Sequence, residues 1–360
     1  MHQDLRFFPR RNAPTRAGLR RAAILWALGG LGWALAASPA RATKYAGETF
    51  SAGVGARALG MGGAATALPG DVTSAYWNPA SLVDVSGTEL GFMHSERFGG
   101  IVRYDYLGFA RPVEMGPGSK QSLALTLIRQ GIDNIPLGDL VDPDHPPFYV
   151  DPLSDTLVVN VVDDGLASDS EYLLGLSYAA ELSSRWAVGA TLKLIYKNVV
   201  GYTAYGAGLD VAARVQLPRG FDLGANLRDL TVTPVVWETG VTETVVPSVR
   251  FGTAWTRSLR GFARIRVAGD ANLLFEGRET ASQFSFSTIS ESLGSASLDF
   301  AAGAELWLAE RVALRGGQDE GRMTLGASLR LGPVDVDYAF RHQADLDDTH
   351  RVGLRVELAL

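Results

Sequence analysis

The five histidines, His2, His94, His145, His342 and His350, are the first residues to test for chemistry, and their spacing argues against it. No two stand three or four residues apart, the separation that sets two imidazoles on one helix face as metal ligands. The chain has no cysteine, which removes disulfides, thiolate metal sites and cysteine nucleophiles together. An acyl-transfer site needs a serine and a histidine brought together, and His94, His342 and His350 are isolated candidates with no supporting motif. Gly55 and Gly60 have the spacing of a phosphate loop, but Met61 and Gly62 stand where lysine and a hydroxyl residue are required. A dinucleotide fingerprint over Gly53, Gly55 and Ala58 has no alternating strand and helix pattern around it. The acidic, proline-rich stretch 139–155 (DLVDPDHPPFYVDPLSD) lacks the regular carboxylate spacing of a calcium loop and reads as a solvated loop. The expectation is a protein with no catalytic residues, no metal and no cofactor, and not an enzyme.

The elements that must carry the remaining residues begin after residue 42. Residues 1–42 hold seven arginines against the single acid Asp4, then an apolar run 22–37, then the small-residue site Ala40-Arg41-Ala42. This is the layout of a cleaved secretory signal, and about sixteen apolar residues are too few for the roughly twenty of a spanning helix. Without that segment the chain carries 26 basic and 38 acidic residues, a net charge of -12 where the whole chain has -6. Such acidity argues against nucleic acid as a partner.

From Thr88 onward the chain alternates with period two, as strands do. Trp186, Val188, Ala190, Leu192, Leu194 and Tyr196 share one face, with Thr191, Lys193 and Lys197 on the other. Fourteen strands are predicted, at 87–97, 101–110, 120–130, 171–180, 184–198, 203–217, 220–229, 246–257, 260–273, 297–308, 310–317, 321–331, 333–342 and 348–360. Most have ten or more residues, the length of a tilted strand crossing a bilayer, and the count is even. Connections after even strands are short, whereas the long ones, 131–170, 230–245 and 274–296, all follow odd strands. Tight turns on one rim and long loops on the other mark a bacterial outer-membrane barrel. Fold class is therefore all-β, a transmembrane antiparallel β-barrel of about 14 strands. Its lumen-facing charged residues are Lys193, Lys197, Arg264, Arg266, Asp270, Asp335, Asp337, Arg341, Arg351 and Arg355, and Trp186, Tyr196, Tyr205, Trp255, Trp307, Tyr338 and Phe340 are girdle candidates.

Residues 43–86 do not alternate and are dense in glycine and alanine. A fourteen-stranded barrel is too wide for its own side chains to fill, so this segment is expected as a plug within the lumen. The chain thus divides into a signal (1–42), a plug or hatch (43–86) and a barrel (87–360). The plug carries Gly55, Arg57, Leu59, Gly60, Met61, Gly62 and Gly63, then Tyr76, Trp77, Asn78, Pro79 and Ala80. These two runs resemble the amino-terminal signature of the PorV/PorQ family, within the wider group of FadL-type outer-membrane barrels. The resemblance implies a fourteen-stranded barrel with a hatch in its lumen, set in the bacterial outer membrane among its lipids.

Two roles follow from that resemblance. The first is PorV-like: a non-enzymatic accessory or shuttle of type IX protein secretion, with a secretion translocon and secreted cargo proteins as partners. The second is FadL-like, a channel passing hydrophobic small molecules across the outer membrane. The signature around Arg57–Gly63 and Tyr76-Trp77 favours the first.

Overall fold

The computed structural model describes residues 47–114, 119–140, 148–151, 156–159, 161–230, 232–259, 261–275, 296–342 and 348–358. The predicted signal segment 1–42 lies outside the described residues, as does most of 274–296.

Fourteen antiparallel strands form one closed wall: β1 Thr88–Arg97, β2 Val102–Val113, β3 Gln121–Leu140, β4 Val161–Glu181, β5 Trp186–Val199, β6 Tyr202–Leu217, β7 Phe221–Arg228, β8 Ser248–Leu259, β9 Ala263–Leu274, β10 Ser297–Leu308, β11 Val312–Asp319, β12 Arg322–Leu331, β13 Val334–Arg341 and β14 Thr349–Leu358. Each pairs with its chain neighbour, and β1 pairs with β14 from Thr88↔Leu358 to Glu96↔His350. Closure leaves no open edge and satisfies the backbone groups that lipid cannot. Leu107, Leu125, Leu192, Leu223, Leu314, Leu325 and Leu354 are exposed on the outer face. Among the described residues no helix is long and apolar enough to cross a membrane; the wall crosses with strands.

Aromatic residues gather near both ends of this apolar band. Tyr172, Tyr196 and Tyr205 stack along three neighbouring strands towards the long-loop rim, with ring centroids 6.1 and 5.3 Å apart. Phe221 and Trp255 meet at 6.4 Å near the short-turn rim. Trp307 departs from the girdle expectation: it shares the inward register of Glu305, is 2% exposed, and packs against the guanidinium of Arg330 at 4.6 Å.

The long connections also differ from their expected form. β3 and β4 run on past the predicted ends, pairing as far as Leu140↔Val161, with register shifts between Ile132 and Ile135 and between Leu137 and Gly138. Pro136, Gly138 and the left-handed Asn134 (φ 59°) hide this continuation from a period-two reading, because a bulge moves each following side chain to the other face. Residues 230–245 hold a hairpin, Thr233–Trp237 with Thr242–Val245, whose first strand pairs with Ala204–Gly206 of β6. A second short hairpin, Phe148–Asp151 with Thr156–Val159, falls within the acidic stretch 139–155 and just beyond it.

Candidate functional site

The hatch is built from short turns because its sequence forbids long ones. Helix α1, Ala56–Gly60, follows Gly55 (φ 79°) and is cut off at Gly62 and Gly63, both with positive φ. Helix α2, Ser74–Trp77, ends at Asn78, which is extended. Asn78 then caps the 3-10 turn Pro79–Asp84: its side-chain oxygen accepts from Ala80 N at 3.0 Å, with Pro79 at the first position where no amide hydrogen is needed. The Asn78 amide nitrogen donates to Thr66 O at 2.7 Å and to Ala213 O of β6 at 3.3 Å, so one side chain joins two hatch turns to the wall.

Small residues let backbone meet backbone. A methyl group at Gly303 of β10 would lie 2.2 Å from Met61 O, and one at Gly62 would lie 2.4 Å from Gln318 O of β11. Gly60 stands against Gly326 of β12 with the same economy, its notional methyl 3.1 Å from the Gly326 Cα. Only glycine tolerates such approach, and at Gly62 the left-handed backbone demands it as well.

The hatch side chains divide into two kinds of contact. Arg57 donates from Nη1 to Asp71 at 2.7 Å and from Nε to Glu305 of β10 at 3.0 Å. Burial opposes its charge, but Glu305 and Asp71 more than compensate and raise the Arg57 guanidinium above its ordinary range. Burial likewise resists ionisation of Asp71, yet Arg57, Arg355 and two hydrogen bonds from Thr73 hold its carboxyl at about 2. On the other side, Phe50, Leu59, Tyr76 and Trp77 are buried in an apolar cluster, with Tyr76 and Trp77 edge to face at 5.0 Å. The Tyr76 hydroxyl donates to Phe50 O and the Trp77 indole to Val54 O, both at 2.8 Å, so the polar ends of both rings are satisfied within the hatch.

The predicted lumen-facing charges occupy defined partnerships. Lys193 contacts Asp210 at 2.7 Å and Asp229 at 2.5 Å, and Lys197 contacts Glu171 at 3.0 Å. Arg264 contacts Glu310 at 2.6 Å, and Arg266 contacts Glu305 at 2.8 Å. Asp270 accepts from the Ala65 and Thr66 amides at 3.0 Å and from the Thr66 hydroxyl at 2.7 Å, a direct clasp on the hatch. Asp335 accepts from Arg330 at 2.7 Å and from Arg355; Arg355 also stands 3.7 Å from Glu89. Asp337 pairs with Arg315 at 3.3 Å, and Arg341 with Asp319 at 3.1 Å. Arg351 is 4% exposed, and its Nη1 has no hydrogen-bond partner.

Several residues central to this arrangement were not singled out from the sequence. Glu305 is fully buried and gathers Arg57, Arg266 and Arg315; a lone acid in a run of alanine and leucine carries no spacing signal. The second group is the inward apolar set Met93, Ile128, Leu173 and Ile195, on β1, β3, β4 and β5, joined by Tyr104 and Tyr106 of β2 and Val235 of the added hairpin. The lumen is therefore not charged all round. Its apolar sector faces Phe50, Tyr76 and Trp77. The detectable sign was weak alternation: β3 carries Leu123, Leu125 and Leu127 on one face while Ala124 and Ile128 on the other are also apolar.

At the border of the apolar sector the wall itself turns. β6 pairs with β7 over Val211–Leu217, but beyond that its partner becomes the added hairpin. The intervening turn places Asp229 and Val232 at φ 54° and 65°, and Asp229 reaches Lys193 and accepts from the Thr233 hydroxyl at 2.6 Å. Two clefts flank the lumen contents. One of about 970 Å³ lies at the short-turn rim, lined in part by Val83, Asp84, Pro112, Lys120 and Glu181. The other, of about 790 Å³, lies at the long-loop rim between Arg103, Asp133, Leu166 and Asn198.

Among solved structures, the chain is similar to the toluene transporter TbuX of Ralstonia pickettii, with 13% identity over 85% of this chain and 98% of that one, at a TM-score of 0.54. The monoaromatic hydrocarbon channel CymD (12% identity, 85% and 98% coverage) and the P. putida toluene transporter TodX (12%, 85% and 99%) each align at 0.53. No protein-family model and no curated protein matches the chain, so the PorV/PorQ resemblance rests on residues 55–82 alone. The likeness to these structures is one of fold, a closed antiparallel wall of fourteen strands.

Proposed function

We propose that this barrel passes small hydrophobic molecules across the outer membrane, the hatch gating the route. The observation that carries the reading is the apolar sector of the lumen, where Met93, Tyr106, Ile128, Leu173 and Ile195 meet the hatch rings Phe50, Tyr76 and Trp77. A water-filled pore for polar solutes has no use for such a lining, whereas an apolar solute leaving water is stabilised by it at roughly 25 cal/mol per Å² buried. The similar structures are named for toluene and monoaromatic hydrocarbon passage, which agrees with this reading and ranks it above the secretion role suggested by the hatch signature. Passage needs neither a catalytic group nor a cofactor.

The test is uptake of labelled toluene by cells whose outer membrane lacks other hydrocarbon channels. Expression of the chain is expected to raise uptake several-fold over the empty vector. Ile195→Asp, which sets a charge in the apolar sector, is expected to remove most of the gain while the barrel still migrates as folded when unheated. Uptake equal to the empty vector with correctly folded protein would sink the reading. Recovery of secretion subunits with the tagged barrel from native membrane would restore the PorV-like role.

A further inference from the structure

Outside the lumen, the wall at its long-loop end is ordered in three rows across β2, β3, β4 and β5. The row nearest the bilayer centre is Leu107↔Leu127↔Leu174↔Leu194, part of the apolar band. Two residues nearer the rim on each strand the row is Asp105↔Arg129↔Tyr172↔Tyr196, and two nearer again it is Arg103↔Gly131↔Ser170↔Asn198. Positions two apart on a strand share a face, so all three rows look outward with the exposed Leu107. Tyrosines at the end of an apolar band mark the level where hydrocarbon gives way to headgroups. The third row stands about 7 Å beyond that level along the strands, among the headgroups themselves.

Arg103 and Asn198 of that row line the cleft of about 790 Å³, together with Asp133, Asn134 and Ser168. Leu166 and Val200 line it too, and they are 66% and 40% exposed. Two amides, a hydroxyl and a carboxylate set among apolar side chains match a sugar ring, whose hydroxyls donate and accept while its C–H faces leave water. Guanidinium groups match phosphate, and there are two: Arg103 in the cleft and Arg129 one row below. Their acids are loosely held. Asp133 stands 2.8 Å from Arg103 and Asp105 3.5 Å from Arg129, all four side chains being about a third to a half exposed, so a ligand can enter these pairs at little cost. A bare phosphate would be repelled by both carboxylates, whereas sugar hydroxyls can donate to them. The mixture of charges thus selects a headgroup that carries hydroxyls as well as phosphate.

We infer that this cleft binds the headgroup of a phosphorylated glycolipid of the outer leaflet. Asn134, Ser168 and Asn198 take the sugar hydroxyls, Leu166 and Val200 cover the ring, and Arg103 with Arg129 holds the phosphate. The acyl chains continue down the outer face along the row of Leu107, Leu127 and Leu194, so cleft and apolar band form one surface matched to one lipid molecule. The inference goes beyond the proposed passage, which uses the other face of the wall, and the two can fail separately.

The experiment is native mass spectrometry of the purified full chain in detergent, offered equal amounts of diphosphoryl lipid A and phosphatidylglycerol. Wild type is expected to retain lipid A about tenfold over phosphatidylglycerol, and monophosphoryl lipid A less well than the diphosphoryl form. Arg103→Ala combined with Asn198→Ala should weaken lipid A about tenfold, and each alone a few-fold. Arg257→Ala, which removes an exposed charge near the short-turn rim, should leave retention unchanged. Heat-dependent gel migration reports folding, and because the substituted side chains lie on the outer surface each variant is expected to keep its wall. Failure of folded wild type to retain lipid A, or full retention by the folded double variant, overturns the site. Equal retention of phosphatidylglycerol overturns the sugar assignment. Displacement of lipid A by inorganic phosphate alone overturns the lipid as occupant.

Discussion

The two sides of the lumen hold the same hatch by different physics. On the β9–β14 side, contacts are directional: Arg57 on Glu305, and Thr66 on Asp270. On the β1–β5 side they are mainly apolar, with Tyr76 and Trp77 packed among residues such as Ile128, Leu173 and Ile195. Ion pairs in a dry interior fix one geometry and are costly to half-break, whereas apolar packing is non-directional and tolerates small shifts. The difference makes the charged side an anchor, and in the proposed passage it leaves the apolar side as the surface along which the hatch would yield to a hydrophobic solute.

The largest effect is expected where the anchor is densest. Glu305→Ala leaves Arg57, Arg266 and Arg315 without their shared carboxylate, and should cost about 4 kcal/mol in urea unfolding from liposomes. A loss under about 1 kcal/mol would end the idea of an anchoring side. On the opposite wall, Ile128→Ala opens a cavity at a fully buried position and should cost about 3 kcal/mol, with no dependence on pH. Toluene uptake is expected to survive Ile128→Ala, since the lining stays apolar.

A smaller effect separates the sides by acid. The Asp71 carboxyl sits at about 2 in the folded protein, below its ordinary 3.8. A depressed carboxylate contributes stability that is fully present above the ordinary value and is lost as pH falls through the folded one. Asp71→Asn should therefore cost about 2 kcal/mol at neutral pH and nothing below pH 2, flattening the acid limb between about 4 and 2. An unaltered limb would show that Arg57 does not need this partner. The smallest change belongs outside the lumen: Arg103 and Asp133, 2.8 Å apart but half-exposed, should contribute under about 0.5 kcal/mol when Asp133→Ala is compared with wild type.

The wall was legible in the sequence because a lipid-facing strand must repeat its apolar side chains every second residue. Trp186 to Tyr196 shows this as plainly in the letters as in the barrel. All fourteen strands could be placed for that reason, while the ends of β3 and β4 could not, since the bulges near Asn134 and Gly138 reset the alternation. The hatch segment stood apart in the sequence by its lack of alternation and its density of glycine and alanine, but its grip did not show. Arg57 and Glu305 are 248 residues apart, and nothing local marks one for the other. The apolar sector escaped notice for the opposite reason: where both faces of a strand are apolar, alternation vanishes and the inward side no longer announces itself.

The pairing of β1 with β14 has a consequence for how the molecule is made. β1 begins at Thr88, just beyond the hatch, and its neighbour Leu358 lies at the far end of the chain. The ring therefore closes by pairing the first strand of the wall with its fourteenth, and the hatch contacts on β9 and β10 join residues 204 and 248 positions apart. Contacts separated by more than two hundred residues are slow to find one another. Closure of the seam and capture of the hatch thus share one requirement, the meeting of distant parts of the chain, and both are expected late in folding.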